Sequence, residues 1–143
     1  MSRAAVIVDT NIVVAGLLTG HDASRALAKS ARILDGMLMA TFPFVVSEAL
    51  LAEYRTVLVR PGLRKLHGLT VAEVETLLTD IAQHAIVLAP VAAPPAPDPG
   101  DQLLWELLAA RADLLLVTGD KALQRDAGMQ SRVVSRQSFV EGR

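Results

Sequence analysis

The chain has 143 residues, 52% of them hydrophobic and 20% charged, with 14 basic side chains against 15 acidic ones. That length is one domain's worth, enough to bury about two-thirds of the unfolded surface in a single core, and the composition excludes a disordered or fibrous chain. The absence of cysteine excludes disulfides, thiolate nucleophiles and cysteine-ligated zinc, and a net charge of −1 excludes coating nucleic acid by charge alone.

Aromatic residues are only 3%, so the core is expected to be aliphatic. Ala4 to Val8 is a short apolar run ending at Asp9, the profile of a strand buried on both faces. A helix is expected from about Ala23 to Asp35, closed by Gly36, and a second strand over Thr41 to Val46. Ser47 can cap a helix to about Val59, which Arg60-Pro61-Gly62 breaks. Thr70 opens the next helix with a capping box, Thr-Val-Ala-Glu, and that helix runs to about His84. Ala85 to Leu88 reads as a third strand and Ala89 to Gly100 as a Pro/Ala-rich surface loop. A helix over Asp101 to Arg111, a strand over Leu114 to Val117, a short helix over Lys121 to Asp126, a strand over Arg132 to Val134 and a terminal helix complete the chain.

This alternation predicts an α/β fold: three layers, α/β/α, around a mainly parallel five-stranded sheet, in one domain spanning residues 1–143. The opening residues lack a signal peptide's long apolar region, and the longest uncharged stretch carries Pro90, Pro94, Pro95 and Pro97, so the expectation is a soluble, cytoplasmic protein with no membrane partner.

In such folds ligands bind at the carboxyl ends of the strands, and acids fall there. Asp9 follows the first strand and Asp120 follows the fourth by way of Thr118-Gly119. Each could instead cap a helix. The helix after Ser47 carries Glu48 and Glu53, which lie about 140° apart around its axis, so at most one faces a site beside the sheet. Glu53 is preferred, since the helix dipole already explains an acid in the first turn. Asp98-Pro99-Gly100-Asp101 adds Asp101 at a helix start, with Asp98 as a turn or supporting acid. Clustered carboxylates raise one another's pKa, and a hard cation such as Mg²⁺ or Mn²⁺ relieves this. The chemistry such ions serve on carboxylates is phosphoryl transfer, including phosphodiester hydrolysis. The histidines lack the spacing of a zinc site. Arg55, Arg60, Arg64, Lys65 and His67 form the densest basic run, a candidate for nucleic-acid phosphates or a solvated surface patch. Trp105 and the leucines around it read as core.

Four segments together resemble the motifs of PIN-domain nucleases: Val8-Asp9-Thr10-Asn11, Ser47 to Tyr54, Asp98 to Leu104, and Ala112 to Lys121 with its Thr118-Gly119-Asp120. They occur in order along essentially the whole chain. The resemblance implies a metal-dependent endoribonuclease of the VapC-like toxin type, a homodimer neutralised by an antitoxin protein. It places Asp9, Glu53, Asp101 and Asp120 as catalytic and metal-binding positions, supported by Asn11 and Thr118. It also implies 5′-phosphate and 3′-hydroxyl products. The segment around Asp98 is less acidic than the runs common in that family, which leaves the register between Asp98 and Asp101 open. The alternative is an inactive PIN-like module that binds RNA or a partner. A haloacid-dehalogenase-like phosphatase would need an acid where Asn11 stands, and a receiver domain would need an acceptor Asp where Val46-Ser47 stands.

Overall fold

The computed structural model describes residues 4–18, 25–126 and 128–142. Five short strands alternate with helices: β1 (Val6–Val8), β2 (Val45–Val46), β3 (Ile86–Val87), β4 (Leu115–Thr118) and β5 (Val133–Ser135). The helices are α1 (Thr10–Gly16), α2 (Arg25–Leu38), α3 (Glu48–Leu58), α4 (Pro61–His67), α5 (Val71–His84), α6 (Gln102–Leu108), α7 (Lys121–Arg125) and α8 (Arg136–Glu141).

The fold is α/β with parallel strands, as the alternation predicts, but the sheet is not one continuous five-stranded body. β1, β4 and β5 form a three-stranded parallel sheet in the order β1-β4-β5, and β2 pairs with β3 separately. A single parallel bridge, Val6 to Phe44, joins the two parts, with the Val6 amide donating to the Pro43 carbonyl at 3.2 Å. The expected strand from Thr41 shrinks to two residues for a local reason. Pro43 has no N–H to offer a ladder, and Ser47 already caps α3 through a bond from the Leu50 amide.

Read across that bridge, the order is β3-β2-β1-β4-β5. The chain moves outward one way from β1 to β3, then crosses back to β4 and moves outward the other way. α1, α2, α3 and α5 pack against one another, and α6 and α7 pack against β4. α8 packs on α2 and against β4 and β5. The reversal falls between β1 and β4, the topological switch point at which such sheets bind ligands.

The core is aliphatic. β1 is fully buried, and Ile12, Ile33, Met37, Leu50, Leu58, Ile81, Leu104, Leu107 and Leu108 pack around it. Trp105 is buried as well, and Met39 is exposed. β3 is an exposed edge.

Helix ends differ from expectation at Gly36, at Pro61 and in α6, which ends at Leu108 and not at Arg111. The first residues of the helix expected from Ala23 lie outside the described set. Gly36 does not close α2, which continues to Leu38. Its lack of a side chain is needed for space, since a Cβ there would sit 2.6 Å from the Phe42 ring. The turn comes at Ala40, in the left-handed region at φ 55°. Finally, Arg60-Pro61-Gly62 ends α3 but also begins α4, with Pro61 in the first turn and Gly68 closing it at φ 75°. The capping box at Thr70 is present in full.

Candidate active site

The chain folds so that β1 and β4 are neighbours, with Val8 opposite Val117. The residues just past each strand therefore emerge side by side. Asp9 sits in the N-cap position of α1, but its side chain makes no capping bond. Its carboxylate instead accepts from the Thr118 hydroxyl at 2.7 Å and from the Asn11 amide at 3.4 Å. The carboxyl is nearly buried, and that burial pushes its pKa up, with the charges of Glu53 and Asp120 adding to the shift against the lowering effect of the Thr118 bond.

Thr118 ties the two strand ends together. While its hydroxyl donates to Asp9, the same oxygen accepts from the Asp120 amide at 3.0 Å. Asn11 does likewise from the other side, accepting from the Gly119 amide at 3.3 Å. Asp120 does cap α7, accepting from the Ala122 amide at 2.8 Å through one oxygen, yet it still faces the cleft.

α3 brings Glu53 to the same place. Its carboxylate accepts a hydrogen bond from the Thr10 hydroxyl. The next residue, Tyr54, is buried and donates to the Val8 carbonyl at 2.5 Å, which anchors α3 to the end of β1 directly before Asp9. Glu48 points elsewhere, to a groove beside Val87 and Leu88.

The Asp98 to Asp101 turn separates its two acids by role. Asp98 is occupied by the Gly100 amide at 2.9 Å. Asp101 makes no capping bond and lines the cleft. Its pKa is raised to about 6, first by burial and then by the charges of Asp9, Asp98, Asp120 and Glu53.

Asp9, Glu53, Asp101 and Asp120 thus line one open cleft, together with the apolar side chains of Val14, Ala15, Leu18 and Val57. None of these acids has a basic partner in an ion pair among the described residues. A cluster of oxygen donors with no counter-charge matches a hard divalent cation in kind. As placed, no three acids among the described residues stand close enough to enclose one.

The basic run lies off the cleft. Arg55 pairs with Glu75 of α5. Arg60 is the residue before α4, and Arg64 and Lys65 lie in its last turn, exposed. His67 is a structural clamp: its Nε2 bonds the Leu58 carbonyl at 2.8 Å, and its Nδ1 accepts from the Leu69 amide at 3.0 Å. Tyr54 and Thr10 had no signal as site residues beyond their positions next to Glu53 and Asp9.

With this geometry in view, the family comparison is direct: the PIN domain model matches residues 5–122, and the chain belongs to that family. PIN domains are typically nucleases and generally use divalent metals. No curated protein matches the chain. Among the described residues, no helix is long and apolar enough to cross a membrane.

Proposed function

We propose that the protein is a Mg²⁺- or Mn²⁺-dependent endoribonuclease, the toxin of a toxin–antitoxin pair, acting in the cytoplasm. The observation that carries this reading is the convergence of Asp9, Glu53, Asp101 and Asp120 on one cleft without a cationic partner. Unneutralised, these charges would repel a phosphate backbone. Asp9, Asp101 and Asp120, with Glu53, would hold the metal, which when bound activates water and offsets charge on the phosphate.

The chain's own residues fix parts of this donor set. The Thr118 hydroxyl fixes the Asp9 carboxylate and the Asp120 backbone together. Thr10 orients Glu53, and Tyr54 fixes the strand end that carries Asp9. The apolar side chains that line the cleft with the acids offer a face for an antitoxin segment, and homodimerisation follows the family resemblance.

The test is cleavage of a mixed single-stranded and structured RNA pool by purified protein in Mn²⁺, Mg²⁺ or EDTA. Metal-dependent cleavage that is lost in Asp9→Asn is expected, by at least about 100-fold. Binding of RNA without cleavage in any metal would replace this reading with that of a binding module. For the toxin role, expression is expected to arrest growth of the host, and Asp9→Asn to abolish the arrest.

A further inference from the structure

A second groove runs along Gly119 and Lys121, the neighbours of Asp120. It is lined by Lys29 of α2, Lys121 and Gln124 of α7, and Arg136 and Glu141 of α8. Three cations from three helices meet there against one carboxylate, and Glu141 is already engaged by the Gln137 amide at 3.3 Å. None of the three cations is in an ion pair among the described residues. Clustering like charges costs free energy unless an anion offsets it.

Arg136 is placed rather than loose. One terminal nitrogen of its guanidinium donates to the buried Ser30 hydroxyl at 2.8 Å. The other lies so close over Gly119 that a Cβ there would sit 1.9 Å from it. Gly119 has no positive φ among the described backbone, so the glycine serves this close approach and not an unusual turn. The same residue's amide bonds Asn11, which lines the acidic cleft, so Gly119 touches both the cleft and the guanidinium. Arg136 also lies beyond the residues that the family comparison matches.

We infer that this groove binds phosphates of the RNA strand flanking the bond to be cleaved, with Lys29, Lys121 and Arg136 as the contacts. The inference rests on the ribonuclease reading and adds the strand's path: past Gly119, from the acids toward α8. Guanidinium and ammonium groups suit phosphate oxygens, and the acids alone hold only the scissile group.

The experiment measures binding of a fluorescent single-stranded RNA oligomer by anisotropy, across a salt series in Mg²⁺, with Asp9→Asn as the background to prevent cleavage. Lys29→Gln/Lys121→Gln is expected to weaken binding about tenfold and to flatten the slope of log affinity against log salt by about 1.4. Gly119→Ala keeps both lysines but displaces the guanidinium, and is expected to weaken binding by a smaller factor. Circular dichroism melting confirms that each variant is folded. An unchanged slope in the double lysine variant overturns the inference. So does a loss carried by Arg64→Gln/Lys65→Gln in its place, or a groove that binds poly-glutamate but not RNA. Cleavage by the native chain, measured separately, distinguishes the two failures. A chain that cleaves RNA but ignores the groove variants overturns only this inference, and one that binds RNA through the groove without cleaving overturns only the ribonuclease reading.

Discussion

Thr118 shows how much one hydroxyl can organise. It is fully buried, donates to Asp9 and accepts from the Asp120 amide, so both strand ends depend on it. Thr118→Val keeps the shape and removes both bonds. It leaves a nearly buried carboxylate without its best donor and an amide without its acceptor, and is expected to cost about 1–3 kcal/mol in chemical denaturation. The Asp9 carboxyl would rise further, since the bond to Thr118 is the main influence holding it down. Asp98 and Asp101 make a complementary point. They sit in one turn, three residues apart, and their side chains meet different groups. Asp98 satisfies a backbone amide, whereas Asp101 faces other carboxylates.

At the level of elements, local chemistry sets where helices begin better than where they end. Ser47 caps α3 and Thr70 opens α5 as expected, because a side-chain oxygen bonding an amide within three residues is a local event. Thr70→Ala is expected to lower stability by about 1 kcal/mol in urea titration, without affecting RNA cleavage, since the cap is exposed and does not line the acidic cleft. α2 overruns Gly36 because packing against Phe42 rewards the missing side chain more than the helix penalises it. α4 escapes sequence reading because proline interrupts one helix and suits the first turn of another equally well.

For the whole molecule, the acids are a liability to the metal-free fold. The Asp101 carboxyl titrates near 6 when folded against an ordinary value of 3.8, so its charged form is disfavoured by folding. The folded state then holds a proton that the unfolded state has lost, and stability falls as pH rises from about 4 to 6. In EDTA, wild-type Tm is expected to drop over that window relative to Asp101→Asn, by calorimetry. Mg²⁺ at pH 7 is expected to raise wild-type Tm and to narrow the difference. Saturation at 100 times Kd would add about 2.7 kcal/mol. A wild-type Tm indifferent to both pH and Mg²⁺ would count against a metal held by these acids.

The sequence by itself determined the alternation of strands and helices, the aliphatic core and the two helix caps, because periodicity and capping act over a few residues. It also put Asp9 and Asp120 at strand ends, since a β-branched run that stops at an acid is visible locally. Only the tertiary structure decided that β1 and β4 are adjacent, that the sheet narrows to one bridge at Pro43, and that Asp101 and not Asp98 lies on the cleft. The side chains of Thr118, Tyr54 and Arg136 acquire their partners across 109, 46 and 106 residues respectively. Contacts at that separation depend on how the crossovers pack, and no short-range pattern records them.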